Sequence, residues 1–352
     1  MNSRPDRVAE ALRERNIDAM LVASPANLRW LTGFSGSNGA ALIGGDVRLF
    51  FTDFRYVEQA AEQVDGFEVV RSGRNLLGDV AERLSGRIGF EDAILSVRGH
   101  TRLTQAAPEA ELVGASGTIE QLREVKDERE LSAMRAAAAI ADRALERLVE
   151  RGIDGRTEKR VAADLEADMR ALGAEDRSFA VIAASGPRGA LPHAQPRDVR
   201  IERGTLMVID LGCVVDGYCS DATRTFATGP VGDREREIYD LVATAQDAAL
   251  QAIRPGADAR AVDRVARDLI AEAGYADKFG HGLGHGVGLE VHEGPRLAQT
   301  AEGLLQAGNT VTVEPGVYLP GAFGVRIEDL VVVSAAGSEA LTGFTKELVA
   351  LS

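Results

Sequence analysis

Three of the chain's five histidines, His281, His285 and His292, fall within twelve positions, in the segment His281-Gly-Leu-Gly-His285-Gly-Val-Gly-Leu-Glu-Val-His292. The glycines at 282, 284, 286 and 288 permit close backbone approaches, so the segment reads as a shaped loop and not as a helix. A zinc-protease helix of the His-Glu-x-x-His type is excluded, because Gly282 stands where that motif needs its glutamate. Acids recur inside apolar runs on either side. Asp210 ends Thr205-Leu-Met-Val-Ile, Asp221 follows Gly217-Tyr-Cys-Ser, Glu314 follows Thr310-Val-Thr-Val, and Glu328 follows Gly324-Val-Arg326-Ile. Carboxylates in runs apolar enough to be buried need compensation. Four carboxylates and one imidazole suit a pair of hard or borderline divalent cations, since four negative charges balance two dications. The expected centre is dinuclear, with Mn²⁺ as the expected ion and Co²⁺, Zn²⁺ and Fe²⁺ as alternatives.

The elements carrying these residues can be read from periodicity. In a strand over 310–314, Thr310, Thr312 and Glu314 face one way while Val311 and Val313 pack the other way, and Arg326 and Glu328 likewise share a face. Residues 205–227 and 310–334 form the two acid-bearing strand pairs. Two helices precede each pair. Leu131, Met134, Ala138, Ala141, Leu145 and Leu148 mark the buried face of the first helix. Thr157 opens the second, with Val161, Leu165, Met169 and Leu172 as its stripe and Gly173 as its stop. The order returns as a helix over 235–253 ended by Pro255-Gly256, and another opened by Asp258 and stopped near Gly274. The repeat is one of order only, and it predicts two related halves facing one site.

The N-terminal third differs. A helix and then a strand occupy 6–22, further short strands fall at 40–43, 47–52, 67–70 and 87–90, and helical stretches lie near 54–64 and 76–85, so this part is α/β. It holds no cluster of acids and histidines, and the solitary His100 reads as an ordinary surface or core residue. The charge-rich run Glu120-Gln-Leu-Arg-Glu-Val-Lys-Asp-Glu-Arg-Glu marks the boundary, which gives domains at 1–122 and 123–352.

A chain of 352 residues with 45% hydrophobic and 27% charged residues can bury a substantial core. No run approaches the roughly 18 apolar residues of a membrane span, and the start Met1-Asn-Ser-Arg-Pro-Asp-Arg lacks a signal-peptide core, so a cytoplasmic protein without membrane partners is expected. Cys213 and Cys219, the two cysteines, read as free, packed thiols, and their spacing does not suit a zinc knuckle. A net charge of −14 provides no basic stripe for a phosphate backbone and argues against nucleic acid as a partner.

Taken together, Asp210-x-Gly, Ser220-Asp-x-Thr-Arg-Thr-Phe226, Gly284-His-Gly-x-Gly288, Val313-Glu-Pro-Gly-Val-Tyr318 and Val325-Arg-Ile-Glu-Asp329 resemble the motifs of the pita-bread metallopeptidases of the aminopeptidase P and prolidase group. The likeness spans nearly the whole chain, since residues 1 to about 122 resemble the creatinase-type N-terminal domain of that group. It implies an α/β (α+β) protein whose catalytic domain has a curved, largely antiparallel sheet and an internal pseudo-two-fold repeat. It implies Asp210, Asp221, His285, Glu314 and Glu328 as metal ligands, with Asp221 and Glu328 bridging two ions. It assigns His193, His281, His292, Glu314 and Arg326 to the catalytic pocket.

The implied activity is that of a Xaa-Pro aminopeptidase acting on small peptides with proline in second position, with Xaa-Pro dipeptidase (prolidase) as the alternative. A homodimer is the implied assembly. In that chemistry, metal coordination lowers the pKa of a bridging water enough to supply hydroxide, and Glu314 accepts the water's proton and passes it to the leaving nitrogen. His292 and His193 would stabilise the oxyanion. The complete ligand set argues against the metal-free creatinase relatives and against a non-catalytic peptide-binding module of the same fold. The N-terminal domain argues against a methionine aminopeptidase.

Overall fold

The computed structural model describes residues 3–351; positions 1–2 and 352, at the outer ends of the two expected domain ranges, lie outside it. The chain divides into two compact units, one ending at Arg123 and the other beginning at Glu124. The first unit opens with α1 (Arg4–Glu14), which starts at a capping box formed by Ser3 and Asp6 with Pro5 in its first turn. The strands β1 (Ala19–Val22), β2 (Gly39–Gly44), β3 (Arg48–Thr52), β4 (Glu68–Arg71), β5 (Gly86–Phe90) and β6 (Ala110–Gly114) form one mixed sheet in the order β4-β3-β2-β1-β5-β6. Around it lie α2 (Pro25–Thr32), α3 (Val57–Gln63), α4 (Leu76–Ala81), α5 (Val97–Ala106) and α6 (Thr118–Arg123).

Proline with its fixed φ suits the first turn of a helix, and α2 begins at Pro25. His100 sits on α5 with its ring 5.1 Å from that of Phe90, a packing contact far in sequence from any acid–histidine cluster.

In the second unit α7 (Glu128–Arg151) and α8 (Glu158–Ala171) are followed by β7 (Asp176–Arg177), β8 (Ile182–Ser185), β9 (Leu206–Leu211), β10 (Cys213–Val215), β11 (Tyr218–Cys219) and β12 (Ala222–Ala227). Next come α9 (Asp233–Ala252) and α10 (Ala259–Glu272), and then β13 (Gly284–Gly286), β14 (Glu293–Leu297), β15 (Thr310–Val313), β16 (Gly316–Leu319), β17 (Phe323–Arg326), β18 (Asp329–Ser334) and β19 (Gly337–Ala340). Each helix pair packs on strands of its own half. Ala141 and Leu145 of α7 and Val161 and Leu165 of α8 share a core with Met207 and Ile209 of β9. Val242 of α9 and Val262 and Ala266 of α10 share another with Val311 and Val313 of β15 and Val331 of β18. The recurrence of order read from the sequence is therefore also a recurrence of packing.

The strands around the site pair antiparallel throughout, but they form separate short sheets in the orders β12-β9-β8, β14-β13-β15-β18-β19, β16-β17 and β11-β10-β7. The breaks coincide with the acids. Asp210 alone lies within a strand; Asp221 sits between β11 and β12, Glu314-Pro315 between β15 and β16, and Glu328 between β17 and β18. The expectation that each acid lies inside a strand is corrected at these three positions. A regular ladder aims its side chains at intervals along one face, whereas a break lets the backbone turn so that several carboxylates converge. Pro315, having no N–H, could not continue a ladder.

Candidate metal centre

All nine residues singled out in the sequence line one cavity of about 800 Å³ in the second unit. Strand pairing explains part of this convergence. Asp210 on β9 is opposite Thr223 on β12, and Thr223 Oγ1 donates to Glu328 Oε2 at 2.7 Å across 105 residues of chain. Thr312 Oγ1 donates to Glu314 Oε1 at 3.1 Å, so these two side chains do share a face of the β15 segment. His285 lies on β13, where a methyl group on Gly284 would collide with the carbonyl oxygen of Thr312 and one on Gly286 with that of Gly294. Glycine at these two positions lets the histidine strand lie close against its neighbours.

The imidazole of His285 is oriented by its own backbone. Its Nδ1 is 3.0 Å from the carbonyl oxygen of Gly286, which can only accept, so Nδ1 carries the proton. Burial lowers the pKa of His285 to about 4, so the ring is neutral. Its Nε2 lone pair therefore faces Glu314 Oε1 at 3.3 Å and Asp221 Oδ2 at 3.7 Å. Donor atoms of Asp221, His285 and Glu328 lie within 4.8 Å of one another, close enough to share one ion.

Burial raises the pKa of Asp210, and burial together with the neighbouring carboxylates raises those of Asp221 and Glu328 well above the ordinary range. Burial pushes Glu314 up to about 7. Asp210 Oδ1 and Asp221 Oδ1 are buried and have no hydrogen-bond partner. Lone pairs and unpartnered carboxylate oxygens aimed at one another are what a divalent cation compensates, so the residues present fit a metal site.

One cation is already inside. Arg326 donates to Asp210 Oδ2 at 2.7 Å, to Thr223 Oγ1 at 3.1 Å, to Tyr318 Oη at 3.0 Å and to the carbonyl of Pro192 at 3.2 Å. His281 donates Nδ1–H to its neighbour Gly282 and accepts the Tyr318 hydroxyl proton at Nε2, 2.9 Å away. Burial lowers its pKa to about 4, which agrees with that tautomer. His292 lies beside His285, with ring centroids 4.3 Å apart. His193 is exposed on the loop after β8 and no hydrogen bond holds its ring among the described residues. Cys213 and Cys219 form no disulfide, both are buried, and neither lines the cavity.

Residues 132–335 match the model of metallopeptidase family M24, and residues 4–125 match the creatinase/prolidase N-terminal domain. The chain belongs to metallopeptidase family M24. As an M24 metallo-exopeptidase it works with divalent metal ions. A Xaa-Pro dipeptidase from Pyrococcus furiosus is 37% identical over 353 residues, covering 99% of this chain and 100% of that one. Among solved structures, a Xaa-Pro dipeptidase from Bacillus anthracis is 40% identical with a TM-score of 0.96 over 99% of both chains. An X-Pro aminopeptidase from Thermotoga maritima is 37% identical with a TM-score of 0.90, over 97% of this chain and 100% of that one. These solved folds include the pita-bread catalytic domain and the preceding creatinase-like domain that the motifs implied.

Sequence reasoning about this M24 chain did not single out Arg296. It is on β14 and lines the cavity, and its guanidinium makes no ion pair or hydrogen bond among the described residues. Nothing in its local sequence distinguishes it from the other 39 lysines and arginines, so only the cavity reveals it. Among the described residues, no helix of the M24 chain is long and apolar enough to cross a membrane.

Proposed function

We propose that the protein is a Xaa-Pro dipeptidase that splits the bond between a first residue and a C-terminal proline. The observation that carries this choice is Arg296, a cation on the cavity wall with no carboxylate of its own. In a dipeptide the carboxylate sits one residue beyond the scissile bond, whereas a longer peptide presents a neutral amide there. A guanidinium that binds a carboxylate bidentately discriminates between the two. The names of the relatives in Pyrococcus furiosus and Bacillus anthracis support the same reading. The aminopeptidase reading preferred from sequence stands second, supported by the likeness to the Thermotoga maritima enzyme.

In this proposal Asp210, Asp221, His285, Glu314 and Glu328 hold two divalent ions, and their oxygen-rich set supports Mn²⁺. When bound, such ions act as Lewis acids and make water a nucleophile near neutral pH. Glu314 takes the proton of the attacking water and delivers it to the proline nitrogen, which is too basic to leave as an anion. His292, its pKa lowered by burial, is neutral and donates N–H to the developing oxyanion, with His193 on the facing loop. Arg326 keeps Asp210 turned towards the site while Tyr318 and His281 hold Arg326. A homodimer belongs to the same proposal and rests on the family likeness.

The test is a panel of Xaa-Pro, Xaa-Pro-amide and Xaa-Pro-Yaa peptides read by mass with the Mn²⁺-loaded protein. Xaa-Pro should be the preferred substrate. Arg296→Met should lower kcat/KM for Xaa-Pro by about 10- to 100-fold, the usual worth of a charge-assisted hydrogen bond, and leave the amide nearly unchanged. Cleavage of Xaa-Pro-Yaa as fast as Xaa-Pro would return the assignment to the aminopeptidase.

A further inference from the structure

His193 must be held by something other than its own ring, because no side-chain hydrogen bond fixes it among the described residues. Its loop supplies the answer. Glu158, the first residue of α8 after the N-cap Thr157, is completely buried. Carboxylates at helix N-termini are favoured there by the helix dipole and usually face solvent. This one reaches the two ends of the His193 loop. Its Oε1 accepts from the Ser185 backbone N–H at 2.9 Å and from Ser185 Oγ at 3.2 Å; its Oε2 accepts from Arg188 Nε at 2.9 Å and from the Arg197 backbone N–H at 3.2 Å.

Ser185 ends β8 before the loop, and Arg197 follows it. The backbone joins the clasp, with Lys159 N–H donating to Arg197 O at 3.0 Å and Glu158 N–H donating to Val199 O at 3.2 Å. These are N–H groups that a helix N-terminus otherwise leaves without partners. Arg188 then donates to Gln195 O across the loop, and Arg326 donates to Pro192 O, one residue before His193. The loop is closed at its neck by one carboxylate and touched at its tip by the arginine that also holds Asp210.

We propose that Glu158 is the positioning residue for His193: a buried carboxylate that clasps both ends of the 185–197 loop and thereby sets where the imidazole stands over the site. The inference rests on the assignment of His193 to the reaction made above. A neutral amide cannot reproduce the clasp, since its NH₂ would face at least one of the N–H donors now bound to Oε1 and Oε2. A shift of about 1 Å in a group acting on the transition state can lower the rate by about 100-fold.

Glu158→Gln, His193→Ala and the double variant, all loaded with Mn²⁺, are compared for kcat, KM, metal content and tryptic cleavage. Arg188 and Arg197 place two trypsin sites in the clasped loop, so mass mapping reads the loop independently of activity. Glu158→Gln should lower kcat by about 10- to 100-fold, move KM by less than about 3-fold and leave the metal content unchanged. Cleavage after Arg188 or Arg197 should speed up by about tenfold or more as the loop opens. In the His193→Ala background, Glu158→Gln should lower kcat by less than about 2-fold further, because the effect passes through His193.

A wild-type kcat in Glu158→Gln overturns the proposal, and so does an undiminished effect in the absence of His193. If His193→Ala alone keeps the wild-type rate, the role given to His193 fails and the catalytic consequence of the clasp fails with it. The tryptic rate then still reports whether Glu158 holds the loop, so the two failures are distinguishable. Should Glu158→Gln not fold, Arg188→Gln removes one arm of the clasp and is read by the same kinetics and metal content, with tryptic cleavage followed after Arg197.

Discussion

Arg326 and Asp210, 116 residues apart, are joined by a buried 2.7 Å bond from Nη2 to Oδ2, while the other carboxylate oxygen, Oδ1, is left without a partner. The guanidinium uses Nε and Nη1 at the same time for Thr223, Tyr318 and Pro192. Lysine would keep the charge but not this planar fork. Arg326→Lys should therefore bind metal about 10- to 100-fold more weakly while remaining folded, as is usual when a residue that orients a ligand is changed. A metal titration showing wild-type affinity would remove Arg326 from the ligand-orienting role.

Asp221 is buried, has an unpartnered Oδ1 and stands 3.7 Å from His285 Nε2. Asp221→Ala and Glu328→Ala should each lose activity and metal while keeping the fold, and metal should no longer raise their melting temperature. Excess chelator should inactivate the wild type, and Mn²⁺ or Co²⁺ should restore it. Without metal, Asp221→Asn should melt no lower than the wild type, because it removes one of several crowded charges. Near-normal turnover in Asp221→Ala would contradict a centre that needs this carboxylate.

The ring of His292 lies 4.3 Å from that of His285, tilted by 58°, and the proposed ligand set is complete without it. His292→Ala should retain its metal and lose about 10²- to 10⁴-fold in kcat, roughly 2.7 to 5.5 kcal/mol of barrier, with a smaller change in KM. Metal content, melting temperature and kcat from one preparation decide its part. Loss of metal would make it a ligand, and an unchanged kcat would make it a packing residue.

The pH dependence of the chelated protein follows from the raised carboxylates. Glu314 goes from 4.5 to about 7 through burial, and Asp210, Asp221 and Glu328 move in the same direction. The folded metal-free chain thus holds protons that the unfolded chain has already lost. This contribution to stability is fully present below the ordinary carboxylate range and is lost as pH rises through the raised values. His281 and His285, lowered to about 4 by burial, act in the opposite sense up to about pH 6.5, so the melting temperature of chelated protein should fall above that, between about pH 6.5 and pH 8, whereas Mn²⁺-loaded protein should not show this fall because the ions compensate the ionised groups. A chelated protein that becomes more stable across that interval would refute the crowding of these four acids.

The residue types and spacings around His285, Asp210, Asp221, Glu314 and Glu328 were enough to propose a set of donors, because metal chemistry depends on element and charge, which the sequence states directly. Helix periods showed which faces of α7 and α8 are buried, since a 3.6-residue repeat is local. The strand breaks at Asp221, Glu314 and Glu328 were not legible in the same way. An apolar run with an acid in it looks continuous until its pairing partners are known. Arg296 and Glu158 were invisible for a related reason. Arg296 is distinguished only by its place on the cavity wall without an ion-pair partner, and Glu158 by the partners it finds 27 to 39 residues further along the chain. Whether a charge is satisfied, and by what, is a property of the neighbours that folding brings together, so the tertiary structure alone decided which arginine lines the cavity without an ion-pair partner and which glutamate accepts from both ends of the His193 loop.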